Sequence, residues 1–381
     1  MGLCKRVQNI KPFMVMEVLE AAQELESKDI DIIHLEVGEP DFETPRCIKE
    51  AAKKAIDEGK TKYTHSLGIK ELREAICKDY KKNYNVEIDP DQIVITSGTS
   101  PAMLLCFGVL LDLQDEVIIS DPGYACYETF IKFVDGIAKK VKVFEDNGFQ
   151  YEIKDIKKQI TKKTKAVLLN SPANPTGTLL DEKTLKQLAD LDLYIVSDEI
   201  YHGLVYEGKE HSILEFTDKA FVLNGFSKKY AMTGWRLGYL IFPKEFVRCI
   251  QSLTQNIFIC ASSIAQYAAI AALKDAHEDV IKMKKTYNER RIYMLKRLKK
   301  MGFKIKVEPT GAFYIFANAK DFTDNSYKFA FDILKNAHVG VTPGIDFGEN
   351  GEGFIRFSYA NSLENIKIGM DRLQNYLSGI K

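Results

Sequence analysis

The chain has 381 residues, of which 45% are hydrophobic and 28% are charged, a balance typical of a globular protein large enough for more than one hydrophobic core. Lys plus Arg equals Asp plus Glu at 53 each, so the net charge gives no reason to expect nucleic acid or an anionic membrane as a partner. The seven cysteines, Cys4 included, are scattered without a Cys-x-x-Cys pair, and no apolar run reaches membrane-spanning length, so we predict reduced core cysteines, no metal site, no membrane contact and a cytoplasmic location.

The first predicted elements are three helices and a short strand. Apolar residues at helical spacing predict helices over 13–25, 44–59 and 69–80, and Thr44 is the predicted cap of the second. Residues 32–37 read as a strand broken by Gly38 and Pro40. This strand carries His34, a lone histidine in an apolar setting that we interpret as structural.

From residue 92 the pattern changes to short apolar strands that alternate with helices. Such alternation is typical of crossover connections and a mostly parallel sheet, and strands that are apolar throughout are typical of burial on both faces. The predicted strands are 92–96, 117–120, 141–144, 166–170, 194–197, 221–224 and 239–242, and the helices between them include 102–111 and 184–191.

The last part of the chain reads as a separate, smaller α+β unit. A helix of small residues over 264–273 leads to a long charged helix over 277–301, which we expect to join two domains. Strands 313–316 and 354–359 and helices 327–337 and 363–377 follow. We therefore predict an α/β protein whose large domain, 43–276, has a mostly parallel sheet sandwiched by helices, with a small α+β domain at 277–381.

Polar loops follow the predicted strands, at the edge where open α/β sheets bind ligands. Ser97-Gly98-Thr99-Ser100 begins a helix after strand 92–96, where free N–H groups and hydroxyls form an anion site, although a capping loop without a ligand explains the same residues. Tyr124 follows strand 117–120, where an aromatic ring either stacks on a planar ligand or simply packs.

Two further strands end in Asn174-Pro175-Thr176-Gly177 and in Ser197-Asp198-Glu199-Ile200-Tyr201. A turn explains the residue types of the first loop but not its place after a strand. The carboxylate of Asp198 either caps a helix or holds a ring nitrogen in its protonated form.

A lysine and an arginine complete the pattern. Lys228 lies in Gly225-Phe226-Ser227-Lys228, followed by Met232-Thr233-Gly234-Trp235-Arg236-Leu237-Gly238. Such a lysine forms Schiff bases with aldehydes and Arg236 would neutralise a phosphate, although a loop lysine is ordinarily just solvated. Arg356 stands among alternating apolar residues and needs an anion, either an internal carboxylate or a ligand.

These motifs together closely resemble the pyridoxal-phosphate lysine signature of the class I and II aminotransferases, in the family's order from Gly38 to Arg356. The resemblance implies fold type I, pyridoxal 5'-phosphate as cofactor, and a homodimer with shared active sites, similar to aspartate aminotransferases. It also implies that residues 1–42 form an arm that packs with the small domain and the dimer partner.

The resemblance further implies a role for each residue. Lys228 forms the internal aldimine and moves the substrate proton, Asp198 keeps the ring nitrogen protonated, and Arg356 clamps the substrate α-carboxylate. Asn174, preceding a cis Pro175, and Tyr201 reach the phenolic oxygen of the ring. The remaining contacts are to the ring from Tyr124, to the cofactor from Ser97, Gly98, Thr99, Ser227, Arg236 and the neighbouring subunit's Tyr63, and to the substrate from Gly38 and Asn174.

The predicted function is transfer of the amino group of an L-amino acid to a 2-oxo acid, with 2-oxoglutarate as the expected acceptor, in a ping-pong mechanism. A β-lyase or decarboxylase on the same scaffold stays open, because the outcome depends on surrounding geometry. A non-enzymatic cofactor-sensing domain is disfavoured because no basic DNA-binding module precedes the arm. A nicotinamide dehydrogenase is excluded because no Gly-x-Gly-x-x-Gly follows a predicted strand.

The substrate side chain is predicted from a departure from the aspartate-specific pattern. Some aspartate-using relatives carry a lysine in the phosphate loop and small hydroxyl residues in the arm, where this chain has Ser100 and Phe13-Met14. We therefore expect neutral donors such as alanine and branched or aromatic amino acids, with glutamate as the shared partner. An arginine of the other subunit, either Arg248 or one of the pair Arg290-Arg291, remains an alternative partner for a dicarboxylate.

Overall fold

The computed structural model describes residues 10 and 12–379, so the predictions made for Cys4 lie outside the described residues. The helices are α1 (Met14–Glu26), α2 (Arg46–Asp57), α3 (Lys70–Tyr84), α4 (Thr99–Leu110), α5 (Cys126–Phe133), α6 (Ile153–Gln159), α7 (Glu182–Ala189), α8 (Val247–Ile257), α9 (Ser263–Asp275), α10 (His277–Met301), α11 (Ser326–Ala337) and α12 (Leu363–Gly379). Short 3-10 turns lie at Pro90–Gln92, Glu145–Asn147, Ile213–Glu215, Lys244–Phe246, Gly344–Phe347 and Glu349–Gly351.

The strands form one large sheet and two small ones. They are β1 (Ile33–His34), β2 (Ile93–Thr96), β3 (Glu116–Asp121), β4 (Ile137–Lys142), β5 (Thr164–Asn170), β6 (Tyr194–Asp198), β7 (Ala220–Gly225), β8 (Gly238–Ile241), β9 (Tyr314–Asn318), β10 (Val339–Gly340), β11 (Thr342–Pro343) and β12 (Phe354–Ser358). The 7-stranded sheet has the order β2-β8-β7-β6-β5-β3-β4.

The large sheet confirms the predicted mostly parallel architecture. Strands β3 to β7 run parallel to one another, whereas β8 is antiparallel to both β2 and β7. Strands β2, β7 and β8 are buried at every position, which explains why their sequences are mostly apolar. The parallel strands end side by side, so the loops after β3, β5 and β6 meet at one edge of the sheet.

The prediction for the strand at 141–144 was wrong, because the strand is β4 and ends at Lys142. It forms the edge of the sheet and pairs only with β3 among the described strands. An edge strand is half solvated, and β4 accordingly contains three lysines and buries only Val141. Apolar runs identify central strands, which are buried on both faces. They therefore misplaced this edge strand.

Thr44 does not cap the helix at 44–59, contrary to the prediction. That helix is α2, and its N-cap residue is Pro45, with no side-chain cap hydrogen bond. The Thr44 hydroxyl instead donates to the carbonyl of Ala231 at 2.6 Å and accepts from the Trp235 indole at 3.0 Å. Thr44 therefore connects the start of α2 to the loop that follows Lys228.

Of the two small sheets, one lies within the C-terminal part of the chain and the other joins that part to the N-terminal part. The antiparallel order β11-β12-β9 forms one, and β1 pairs in parallel with β10 to form the other. Helix α1 packs on β10, β11 and α11, where Val18 and Ala22 meet Leu334. The boundaries at 42 and 276 stay a prediction.

The remaining composition-based predictions have mixed outcomes. The six described cysteines are free, but the core assignment was wrong for most of them, since Cys106 is buried, Cys249 is exposed and the others are half-buried on helix flanks or loops.

His34 lies between two carboxylates, with its ring nitrogens 2.6 Å from Glu36 and 3.1 Å from Glu26. Within residues 10 and 12–379, no helix combines the length and apolarity needed to cross a bilayer.

Candidate active site

A cavity of about 250 Å³ lies where the carboxyl ends of β5 and β6 meet the first turn of α4, with α1 and β12 closing it. Most of the predicted site residues line it, namely Gly38, Thr99, Tyr124, Asn174, Asp198, Tyr201, Ser227, Lys228, Arg236 and Arg356. Ser97, Gly98 and Tyr63 do not line it. The structure thus brings together, from loops far apart in the chain, residues that the sequence placed only at the ends of strands.

Lys228 points into this cavity, and its ammonium group donates to the carbonyl of Gly38 at 2.6 Å. Burial is the main cause that lowers its pKa, and the positive charges of Arg356 and Arg236 also lower it, against the opposing effect of Glu39, so that its pKa is about 8. A lysine with a lowered pKa has more of the neutral, nucleophilic amine at neutral pH.

The neighbouring Lys229 has the opposite electrostatic environment. Burial is the largest single effect and lowers its pKa, but the combined effects of Tyr230, Asp79 and Glu210 outweigh it, so its pKa is raised overall. Its ammonium group lies over the Tyr230 ring, 5.2 Å from the centroid. Lys229 therefore stays charged, which distinguishes the two adjacent lysines on physical grounds.

Gly38 is required where it approaches Lys228 and Tyr314. A Cβ atom at position 38 would lie 1.8 Å from the Tyr314 hydroxyl, so no side chain fits there without displacing that ring. The Tyr314 hydroxyl is also 2.8 Å from the hydroxyl of Tyr201. The loop at Gly38, Tyr201 in the loop after β6 and Tyr314 on β9 therefore fix one another.

Asp198 ends β6 as a fully buried carboxylate. The Tyr127 hydroxyl donates to one of its oxygens at 2.7 Å and the Ile200 amide to the other at 3.2 Å. Burial raises its pKa to about 6, against these two hydrogen bonds, which lower it. Among the residues described here no cation forms an ion pair with Asp198, so the site can accept a positively charged group of a ligand.

Arg356 is the converse case, a buried guanidinium on β12. It donates to Asn174 Oδ1 at 2.9 Å, to Thr342 Oγ1 at 3.0 Å and to the carbonyl of Glu36, while its Nε is buried without a partner. No carboxylate lies within ion-pair distance in the part of the chain that the structure describes. The alternative of an internal carboxylate partner is therefore wrong, and the charge is left for a ligand anion.

The start of α4 forms a third site with unpaired charge. Gly98 is its N-cap residue at φ +99°, and a Cβ there would lie 2.8 Å from Arg236 Nη2. Arg236 donates to the carbonyl of Thr233 at 2.9 Å and has no carboxylate partner among the described residues. A positive helix end and an arginine side by side are suited to a phosphate dianion.

Asn174 and Tyr124 complete the cavity wall. The peptide bond between Asn174 and Pro175 is cis, as predicted. The Asn174 amide nitrogen of the backbone donates to Asn170 Oδ1 at 2.7 Å, which fixes this loop on the end of β5. The Tyr124 ring meets Phe13 edge-on, with centroids 6.0 Å apart.

Comparison with known proteins identifies the family. The family model for class I and II aminotransferases matches residues 30–373. The chain belongs to this family. It is 44% identical over 380 residues, 99% of this chain and 100% of the relative, to the (5-formylfuran-3-yl)methyl phosphate transaminase of Methanocaldococcus jannaschii. It is 40% identical over 388 residues, 100% of this chain and 98% of the relative, to the aspartate aminotransferase of Pyrococcus horikoshii.

A solved structure supports the same assignment. The aspartate aminotransferase of Thermus thermophilus with maleate superposes with a TM-score of 0.95 at 36% identity, covering 98% of this chain and 99% of that one. This protein is therefore a transaminase of fold type I. Neither a lyase or decarboxylase nor a non-enzymatic sensor is favoured by these relatives.

Enzymes of this family use pyridoxal phosphate, and the site fits it. The cofactor carries a phosphate dianion and a ring nitrogen that is protonated, and the amino-acid substrate adds a carboxylate. The three charges that lack partners, on Arg236, Asp198 and Arg356, have the signs that these groups require. The described residues contain no cluster of His, Cys, Asp and Glu suited to a metal ion.

Several residues of the site were missed by sequence reasoning. Tyr127 stands one helical turn after Tyr124, a spacing that could have indicated a shared face. Thr342 is the strand partner of Arg356, and Tyr314 places its ring 4.4 Å below the guanidinium carbon. No local signal predicts these two, because strand pairing between distant segments brings them to the site.

The arginines considered for a second carboxylate have other partners in most cases. Arg290 forms a bidentate ion pair with Asp41 at 2.7 and 2.9 Å, and Arg291 pairs with Glu207. Arg248 bonds Gln251 on the exposed face of α8. The pair Arg290-Arg291 is therefore engaged within its own chain, which argues against a role in a neighbouring active site.

The lowered pKa of Lys228 predicts the pH dependence of cofactor attachment. The neutral amine is the attacking form and is present above the pKa, so attachment to the apoprotein should speed up with pH, about tenfold per unit below 8, and level off above it. The rate is measured by absorbance after mixing apoprotein with pyridoxal phosphate between pH 6 and 10. A rate that still rises through pH 10 would show an ordinary lysine.

Proposed function

We propose that this aminotransferase moves the amino group of an L-amino acid to a 2-oxo acid in ping-pong order, with 2-oxoglutarate as the expected acceptor. The observation that carries the proposal is the buried guanidinium of Arg356, which has no carboxylate partner among the described residues and lines the same cavity as Lys228. An α-carboxylate is a bidentate anion that matches such a group. Holding the substrate at Arg356 would direct its amino-bearing carbon towards Lys228.

Each residue has a proposed role in this chemistry. When bound, pyridoxal phosphate supplies an electron sink for the bonds at the substrate Cα. Lys228 would hold the cofactor and, as a free amine, would move the Cα proton. Asp198 would retain the proton on the ring nitrogen. Asn174 and Tyr201 would donate to the phenolic oxygen, Tyr124 would pack against the ring, and the phosphate would be bound by Ser97, Gly98, Thr99, Ser227 and Arg236.

We also propose a homodimer with both active sites at its interface. Tyr63 is 82% exposed, an unusual state for a large aromatic residue, and its loop is joined to the segment after α8 by a hydrogen bond from the Thr64 amide to Cys260 Sγ at 3.5 Å. Ile257, the last residue of α8, and Ile259, on that segment, are 52% and 50% exposed. Their apolar surface supports an interface that carries Tyr63 to the partner's phosphate. We also keep, as proposals, the N-terminal arm and the domain boundaries predicted from the sequence. The enzyme is further proposed to be cytoplasmic, without nucleic-acid or membrane partners.

The cavity wall supports neutral amino donors. Its substrate side is formed by Phe13, Val15, Met16 and Met103, with Ser100 where a lysine would hold a second carboxylate. In the described residues, the only cations in the wall are Lys228, Arg236 and Arg356, all of which already have roles. An unpaired carboxylate against this wall is costly, whereas an apolar side chain is favoured.

The substrate proposal is tested with a donor panel. With 2-oxoglutarate as acceptor, leucine and phenylalanine should exceed aspartate in kcat/KM by about tenfold or more, or about 1.4 kcal/mol. The names of two relatives indicate which other compounds must be tested. These are aspartate as an alternative donor and (5-formylfuran-3-yl)methyl phosphate as an alternative acceptor. Ser100→Lys supplies the missing cation and should raise aspartate turnover without changing that of alanine.

An aspartate preference of about 100-fold in the wild type, about 2.7 kcal/mol, would contradict the apolar-wall argument. A preference for the phosphorylated aldehyde over 2-oxoglutarate would replace the proposed acceptor. Neither result would affect the assignment of the chain to the aminotransferases.

A further inference from the structure

The helix that forms part of the cavity wall lacks a cap from its own segment. Helix α1 begins at Met14, and its N-cap residue Phe13 has no side-chain oxygen and makes no cap hydrogen bond. The first N–H groups of a helix have no partner within the helix and need an acceptor from elsewhere. For α1 this acceptor comes from Asp346, far along the chain.

Asp346 accepts hydrogen bonds from two of these N–H groups. Its Oδ1 lies 3.0 Å from the amide nitrogen of Met14, and its Oδ2 lies 3.4 Å from that of Val15. A negative charge at the N-terminus of a helix is favourable because the helix dipole is positive there. Asp346 lies in the 3-10 turn Gly344–Phe347, which directly follows β11.

The first turn of α1 also forms the apolar wall of the active site. Phe13, Val15 and Met16 all line the 250 Å³ cavity. Phe13 also lines an adjoining, larger cavity of about 790 Å³, whose wall includes Asp346 itself. The ring of Phe13, held edge-on to Tyr124, thus lies between the two spaces.

The rest of the arm is held by different contacts. Val18 and Ala22 are buried against Leu334 in a separate apolar cluster, and Glu17 accepts from the Tyr327 hydroxyl at 3.5 Å. Loss of the Asp346 contacts should therefore loosen the first turn without detaching α1. We therefore expect the position of Phe13 and Met16, rather than the fold, to depend on Asp346.

We propose that Asp346 is a positioning residue that determines donor specificity, because its carboxylate fixes the first turn of α1 and thereby the apolar wall of the cavity. This inference rests on the proposed function, which identifies the ligand that contacts the wall as an amino-acid donor. A large apolar side chain packs on Phe13 and Met16 and depends on their order, whereas the methyl group of alanine does not reach as far. Asp346 therefore favours large donors over small ones.

The test compares Asp346→Ala and Asp346→Asn with Glu349→Gln, which removes an exposed charge from the same wall of the larger cavity. Hydrogen exchange of the holoenzyme should show the protection of the first α1 turn falling about 3- to 30-fold in Asp346→Ala, the range expected for a lost cap. The asparagine variant keeps an acceptor oxygen and should fall between Asp346→Ala and the wild type. Glu349→Gln should match the wild type.

Kinetics provide the second readout. In Asp346→Ala the KM for phenylalanine should rise about tenfold, a factor within the range expected for the loss of one helix cap. The kcat for phenylalanine and both constants for alanine should stay within about twofold of the wild-type values. Unchanged exchange would overturn the positioning role. Loosened exchange with an unchanged phenylalanine-to-alanine ratio would overturn the specificity role. If Asp346→Ala does not fold, the same criteria apply to Asp346→Asn.

The exchange result does not depend on which reaction the enzyme performs. If the wild type failed to use any amino acid, the proposed function would be wrong while loss of protection would still establish the Asp346 contact. The two failures are therefore distinguishable.

Discussion

Lys228→Ala should reduce turnover by about 10⁴-fold, the upper end of what a positioned general base contributes. Among the described residues Lys228 is the lysine that lines the cavity, and burial is the main reason why its pKa is lowered to about 8. Without its amine the enzyme loses both the covalent attachment of the cofactor and the group that moves the Cα proton. The measurement is kcat with the best donor, together with borohydride reduction of the purified holoenzyme and mass-spectrometric mapping of the reduced adduct.

The adjacent Lys229 provides the control for this prediction. Lys229 has the same side chain as Lys228, but its raised pKa keeps it charged. The Lys229→Ala variant should therefore retain the adduct at position 228 and most of the activity per folded protein. An adduct at Lys229, or a fully active Lys228→Ala enzyme, would falsify the assignment.

Arg356→Lys should raise the KM for every amino acid and 2-oxo acid by about 30- to 100-fold, or about 2–3 kcal/mol, while the cofactor stays bound. Lysine keeps the charge but not the planar fork, which donates to Asn174, Thr342 and the Glu36 carbonyl and leaves the Nε–H group without a partner. The loss should be uniform across donors, because the α-carboxylate is common to all of them.

Arg372→Lys is the matched control, since Arg372 pairs with Asp31 on the exposed surface and the same exchange there should leave all constants unchanged. Loss of bound cofactor in Arg356→Lys, with the substrate KM unaltered, would mean that Arg356 has a structural role instead.

The sequence predicted the parts of the site that local rules govern. Asn174, Asp198 and Lys228 stand at the ends of buried strands, and parallel strands bring their carboxyl ends together, so apolar runs alone indicated the same edge. Arg356 was recognisable because a charge within an alternating apolar strand requires a partner. What the sequence left open was whether that partner is internal, which only the three-dimensional arrangement decides.

The parts that were missed depend on contacts between distant segments. Tyr314 and Thr342 reach Arg356 through strand pairing and ring packing, and Asp346 reaches the start of α1 from more than 300 residues away. Strand β4 was misplaced because an edge strand needs few apolar residues, and Thr44 was misassigned because its hydroxyl bonds another loop rather than its own helix. Each of these errors arose where tertiary contacts decide what local patterns leave undetermined.

A single half-reaction tests the central claim most directly. Holoenzyme is incubated with leucine and no 2-oxo acid, and the released products are counted per active site. An aminotransferase should release one equivalent of the 2-oxo acid of leucine, no ammonia and no carbon dioxide, with further turnover only when 2-oxoglutarate is added. Continuous release of ammonia or carbon dioxide without an acceptor would contradict it and indicate a lyase or a decarboxylase.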